Sequence, residues 1–304
     1  NGLIQVMNTT ADRQLNQLKA VLDSWFQRSV SRRQSFDVLA QLAGPTSGKQ
    51  CLCVVAEDML VSSEIAARGG NWEAVSILDS PGPVARCLFG DQLHGLEGEG
   101  IPFPDQSYDL VLLEGAIEFL EDDAGFIMEC HRVLKPSGQL IIRVPLLKQF
   151  SLLNALRRLL GLDGWERGRA RKGYQESDLF AILKDGFDIE HVRSWSRFFS
   201  VLTETMIQTA IAFIGGGQSA GGYAGDEERT LMNYRRVLRL QNLFCPFGWL
   251  ARSLDGLLFF TRGYVMAVSA RQRAWKARVV PELKDGRSIA DAAINTKIGT
   301  AGPF

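Results

Sequence analysis

Four short apolar runs recur through the first half of this chain, with helix-patterned segments between them, and that alternation admits few folds. The runs are Cys51–Val55, Ala74–Leu78, Tyr108–Leu113 and Gln139–Val144. They are near-continuous apolar stretches, not a polar–apolar alternation, so they read as strands covered on both faces. Ser62 to Arg68 suits a helix closed by Gly69-Gly70. Asp122-Asp123 can cap a second helix, which carries Phe126, Ile127, Cys130, Val133 and Leu134 on one side and stops at Lys135–Gly138. Strand, helix, strand in sequence predicts an α/β fold with a doubly wound, mostly parallel sheet and right-handed crossovers.

The flanks are different in kind. Residues 11–43 read as helix, with Leu15, Leu18, Leu22, Trp25 and Phe26 at three- and four-residue intervals, and Gly44-Pro45-Thr46-Ser47-Gly48 ends it. After Pro145 the rhythm changes. Seven basic side chains face two acids over residues 148–173. Ser177–Lys184 predicts a helix, and Phe187–Val192 a strand. Phe198–Ile214 is strongly apolar with Glu204 its only charge, and Gly215-Gly216-Gly217 follows. A basic helix carries Arg229, Arg235, Arg236 and Arg239, then Asn242–Leu250 leads into an apolar run to Phe260. Tyr264–Ala270 predicts a last strand, and the tail from Val279 is polar and aperiodic.

Composition excludes several classes. Lys plus Arg number 34 and Asp plus Glu number 34, so no whole-molecule field gathers nucleic acid. The five cysteines include no C-x-x-C pair and the three histidines have no ligand spacing, so no metal site is expected. Scattered thiols inside apolar runs suit a reducing compartment, and no secretory pattern opens the chain. No apolar run reaches the roughly 18 to 20 uncharged residues of a spanning helix.

Two motifs carry a resemblance. Pro102-Phe-Pro-Asp-Gln-Ser-Tyr-Asp109 precedes the third of the four runs, and Arg132-Val-Leu-Lys-Pro-Ser-Gly138 precedes the fourth. Together they resemble the second half of the nucleotide-binding domain of class I S-adenosylmethionine-dependent methyltransferases, of the type 11 kind. Asp185-Gly-Phe-Asp-Ile189 looks like the family's entry to strand six, and Tyr264–Arg271 like strand seven. The resemblance implies a seven-stranded Rossmann-like sheet with an apolar helical insertion before the last strand. The implied organisation is a helical segment at 1–45, a core at 46–197, an insertion at 198–260, the last strand at 261–271 and an extended tail at 272–304.

The cofactor loop departs from the family. Its first strand should end in an acid and a G-x-G-x-G turn, whose glycines let backbone amides approach the ligand. Aligned here, the acid falls at Cys53 and the glycines at Val55, Glu57 and Met59. These side chains are expected to project where the methionine part of S-adenosylmethionine would lie, with Glu57 and Asp58 repelling its carboxylate. Asp79 falls where the family's acid binds the ribose hydroxyls. Glu97 or Asp91 could stand near the adenine. Glu114 and Glu118 follow the strand at 108–113 at the mouth of the expected cleft, where either could act as general base and Glu114 could contact the cofactor; the competing reading is carboxylates at a helix N-terminus.

Residues 198–214 and 243–260 are apolar and rich in aromatics, with arginines around them. Helices lying in a bilayer interface have this composition, and so do surfaces that bind protein partners. The sequence therefore predicts a cytoplasmic protein peripheral to the inner face of a membrane, touching the membrane or a protein partner through 198–260 and the 272–304 tail. It is either a methyltransferase using S-adenosylmethionine on a lipid-linked or hydrophobic acceptor, or a catalytically silent scaffold or accessory subunit with no cofactor.

Overall fold

The computed structural model describes residues 16–56, 59–78, 83–98, 100–147, 153, 169–214, 227–258 and 261–273. All of them fall in the first of two compact units, which ends at Arg273.

Seven strands form one sheet: β1 Gln50–Val55, β2 Asn71–Ser76, β3 Leu93–Gly95, β4 Tyr108–Glu114, β5 Leu134–Pro145, β6 Phe187–Trp195 and β7 Val265–Gln272. Their order is β3-β2-β1-β4-β5-β7-β6. The first five pair in parallel, and β7 runs antiparallel to both β5 and β6. The mostly parallel, doubly wound sheet expected from the alternating runs is therefore present.

Period-two alternation splits each central strand between two cores. Leu52, Val54, Val75, Val111, Leu113, Leu140 and Ile142 face helices α5 (Asp123–Val133) and α6 (Glu176–Leu183). Cys51, Cys53, Val55, Ala74, Leu110, Leu112 and Ile141 face the opposite side. That side is covered by α1 (residues 16–28), α2 (Val30–Ala43), α3 (Leu60–Ala66) and α4 (Pro83–Phe89). Burial on both faces is why these strands read as unbroken apolar runs. It also pushes the Cys51 thiol up to about 12 and raises Cys53 and Cys130 further, which leaves them inert as nucleophiles.

The single helix expected over 11–43 is two helices within its described part. Buried Ser29 interrupts it, accepting at Oγ from the Arg32 backbone N–H as the N-cap of α2. Strand β3 and helix α4 went unread because neither carries a long apolar run. At α5 the expectation holds: Asp122 Oδ1 accepts from Gly125 N at 2.8 Å.

The insertion between β6 and β7 is a pair of helices packed on each other, α7 (Phe198–Ile214) and α8 (Glu227–Leu257). The two segments read separately from sequence, basic and then aromatic, are one helix that continues through Pro246. Buried Asp255 near the end of α8 ties it to the start of α7. Its carboxylate accepts from the backbone N–H groups of Arg197 (3.0 Å), Phe199 (2.8 Å) and Ser200 (3.2 Å). Gly263 closes the insertion so tightly that a Cβ there would lie 2.0 Å from the Trp195 carbonyl oxygen. Among the described residues no helix is long and apolar enough to cross a membrane.

Candidate functional site

In an open α/β sheet the carboxyl ends of the parallel strands frame the ligand crevice. Here the register places Ser76, Val55, Glu114 and Arg143 side by side at that edge, on β2, β1, β4 and β5.

The first turn, after β1, does not make the glycine cradle. Val55 keeps the strand's alternation and points into the helix-covered core with Cys51 and Cys53. Met59 is the N-cap residue of α3 and is 1% exposed, packed in the same core. This corrects the expectation that these side chains project toward a ligand: both have turned inward. Neither Val55, Ala56 nor Met59 adopts the left-handed backbone a glycine turn uses. The described part of the loop therefore does not fit the family's way of holding S-adenosylmethionine, and no chemistry is routed through that group here. Glu57, Asp58 and Asp79 lie outside the described residues.

Glu114 ends β4 and is buried. Its Oε2 accepts a short hydrogen bond from Ser62 Oγ, in the first turn of α3, and its Oε1 lies 3.7 Å from Arg143 Nη1. So engaged, Glu114 pins α3 and β5 to the strand end; it is not poised as a free base.

Glu118 differs. It sits in the 3-10 turn Ile117–Phe119 just after β4, is 1% exposed, and its Oε2 has no hydrogen-bond partner among the described residues. Burial holds its carboxyl above the ordinary range, with Arg169 and Arg143 drawing it partly back. Between Glu114 and Glu118 lies Gly115 at φ +61°; a Cβ there would come within 3.5 Å of Glu118 Oε1 and 3.6 Å of Arg143 Nη1. Beside them Asp123 is ion-paired to Arg171 at 3.2 Å and accepts from Tyr174 Oη at 2.9 Å. The Arg171 N–H also donates to the Glu118 carbonyl at 3.0 Å. Sequence reading missed Arg143, Arg169, Arg171 and Tyr174. Their proximity depends on strand register and on the chain's return after residue 168.

Glu97 and Asp91 stand apart from this cluster. Glu97 is exposed, bridged through its backbone to Gly100 beyond β3, and Asp91 is exposed in a 3-10 turn.

Comparison with known proteins bears on the whole arrangement. Residues 60–142 match the family model described as a methyltransferase domain. Demethylmenaquinone methyltransferase of Tropheryma whipplei (strain Twist) is 29% identical over 105 residues, 34% of this chain. The match spans only 44% of that relative's length. A Mycolicibacterium smegmatis protein assigned as an S-adenosylmethionine-dependent methyltransferase is 44% identical over 55 residues, 18% of this chain and 21% of its own. Among solved structures, a protein of Bacillus halodurans C-125 assigned as a methyltransferase superposes with a TM-score of 0.50. It has 16% identity and covers 79% of this chain and all of its own.

Proposed function

Residues 60–142 match a methyltransferase-domain model and the sheet has the fold of a structure assigned as a methyltransferase, and on that footing we propose that the chain is a class I S-adenosylmethionine-dependent methyltransferase-like protein that works at a membrane surface. In this reading the sheet is a scaffold, and the α7–α8 insertion is the part that docks. The observation that supports it is one face of α8. Leu243, Phe247, Leu250 and Leu257 recur at helical spacing and are 67%, 60%, 58% and 70% exposed. Half-exposed Trp249 lies beside them, with the guanidinium groups of Arg33 and Arg252 at 5.6 and 5.8 Å from its ring. Arg235 and Arg239 are exposed on the preceding turns. Large apolar side chains left in water, ringed by cations, suit an interface with anionic lipid headgroups. The inward-turned Val55 and Met59 favour a scaffold that does not transfer a methyl group.

Flotation of the full chain with anionic vesicles tests the docking. Cofloating that weakens with salt supports it; failure to float turns the same face over to a protein partner in a membrane-associated assembly.

A second reading, methylation of a lipid-linked or hydrophobic acceptor, is favoured by Glu118. A buried carboxyl at the strand edge, with one oxygen unpartnered among the described residues, is the kind of group that takes a proton from an acceptor. The Tropheryma whipplei relative is, by its name, a methyltransferase for demethylmenaquinone. Calorimetry with S-adenosylmethionine separates the two readings: saturable binding sinks the silent scaffold, and its absence sinks the enzyme.

A further inference from the structure

Three groups of unlike origin converge at the carboxyl edge without completing one another. Glu118 comes from the turn after β4, Arg143 from β5, and Arg169 from the segment that leads to α6. Each carries a buried polar atom with no hydrogen-bond partner among the described residues: Glu118 Oε2, Arg143 Nε and Arg169 Nε. Buried polar atoms are almost always satisfied, and three orphans in one cluster call for an occupant.

The members of the cluster do not satisfy one another. Among the described residues Glu118 forms no ion pair with either guanidinium, although both act on its titration. Gly115, bare at Cα, sits between the Glu118 carboxyl and Arg143; a Cβ there would only touch both, but it would be strained at that positive φ. The neighbouring acids are matched already: Glu114 by Ser62 and Arg143, Asp123 by Arg171 and Tyr174. Arg169 has no carboxylate partner among the described residues; its guanidinium lies 5.3 Å from the Phe119 ring. A planar guanidinium presents donors only.

We propose that Glu118, Arg143 and Arg169 form a binding site for an oxyanion, a phosphate or carboxylate group, held by the Nε–H donors of Arg143 and Arg169, with the Glu118 carboxyl lining the site. Burial holds the Glu118 carboxyl above the ordinary range, which disfavours the charge that would repel such a ligand. The site does not use the loop after β1, and it does not depend on lipid docking by α8. Both the scaffold and the enzyme readings accommodate it.

The probes are inorganic phosphate, acetate and a short-chain water-soluble phosphatidic acid, titrated calorimetrically into the full chain at fixed ionic strength with chloride as the reference. The expected result is saturable binding of phosphate or acetate. It should weaken at least tenfold in Arg169→Gln and in Arg143→Gln, and persist or tighten in Glu118→Gln, which removes the carboxyl's charge. If the soluble lipid binds at least tenfold more tightly than inorganic phosphate, the source is a headgroup; the reverse order identifies a free anion. Binding absent against chloride, or unchanged in both arginine variants, overturns the proposal. Arg169 is partly exposed, so its variant folds even if the Arg143 change perturbs the sheet. Vesicle flotation unaffected by Arg169→Gln would keep the membrane reading intact whatever this titration shows.

Discussion

Arg132 donates from Nη1 to the carbonyl oxygen of Phe103 at 2.8 Å. The same guanidinium reaches the Ile101 carbonyl at 2.9 Å, Asp105 at 2.7 Å and Glu129 at 2.8 Å. One side chain from the end of α5 thus fixes the whole approach to β4. That couples the two motifs through which the family was first visible: the arginine of one binds the proline-rich loop of the other. Arg132→Ala should cost about 2 to 3 kcal/mol in a urea melt, as several charge-assisted bonds are lost at a half-buried site. Arg132→Lys should recover less than half of this, because an ammonium cannot reproduce the fork. A loss under about 0.5 kcal/mol would show the loop to be held by other contacts.

Met59 gives a sharper test of the cofactor loop. Were position 59 a vestige of a glycine turn, trimming it would be harmless. As a core residue, Met59→Ala should destabilise by about 3 kcal/mol through lost burial and a cavity. Calorimetry on this variant should show no gain of S-adenosylmethionine binding, since Val55 remains and the backbone is unchanged.

Glu118 predicts a pH dependence of stability. Its folded carboxyl titrates above the unfolded value, so the native state holds the proton longer. Its contribution is fully present below the ordinary glutamate pKa and is lost as pH rises through the raised one. The charges facing it are Arg143 and Arg169, with Glu114, Asp123 and Arg171 adjacent. Melts of Glu118→Gln should be flatter than wild type on the alkaline side of that ordinary value. Parallel profiles would mean that the acid is solvated in solution.

On α8, Phe247→Ser with Leu250→Ser should change stability by less than about 0.5 kcal/mol, since both side chains already stand in water. The same pair should abolish flotation with anionic vesicles. Stability that falls by several kcal/mol would show the face to be buried against the rest of the chain.

Asp255→Ala removes one carboxylate from three backbone donors at the start of α7. The expected cost is about 2 kcal/mol or more, with α7 and α8 becoming the first segment to exchange amide hydrogen. Asp255→Asn, which keeps an acceptor oxygen, should cost less.

The fold was legible where burial acts on both faces of a strand. Leu52, Val54, Cys51 and Cys53 alternate between two cores, so every position is apolar and the run stands out. It was illegible at β3, a three-residue edge strand whose side chains are only partly covered. Glu114 and Glu118 were found from their position after a strand, yet their roles were not. That Glu114 is held by Ser62 while Glu118 is left open depends on how α3 and the turn at 117–119 pack. Arg169 lies 51 residues beyond Glu118 and meets it only through folding. No spacing rule reports such a pair.

The roots of the insertion carry a consequence for how this chain could have diverged. Tyr264 N donates to the carbonyl oxygens of both Trp195 and Ser196, at 3.0 and 2.9 Å, and Gly263 lies flush against Trp195. Departure and return are stitched at one point, where Trp195 on β6 pairs with Val265 on β7. Whatever is spliced between those two residues leaves the strand register untouched. An ancestor with a bare hairpin there, and descendants with other appendages, would share one sheet.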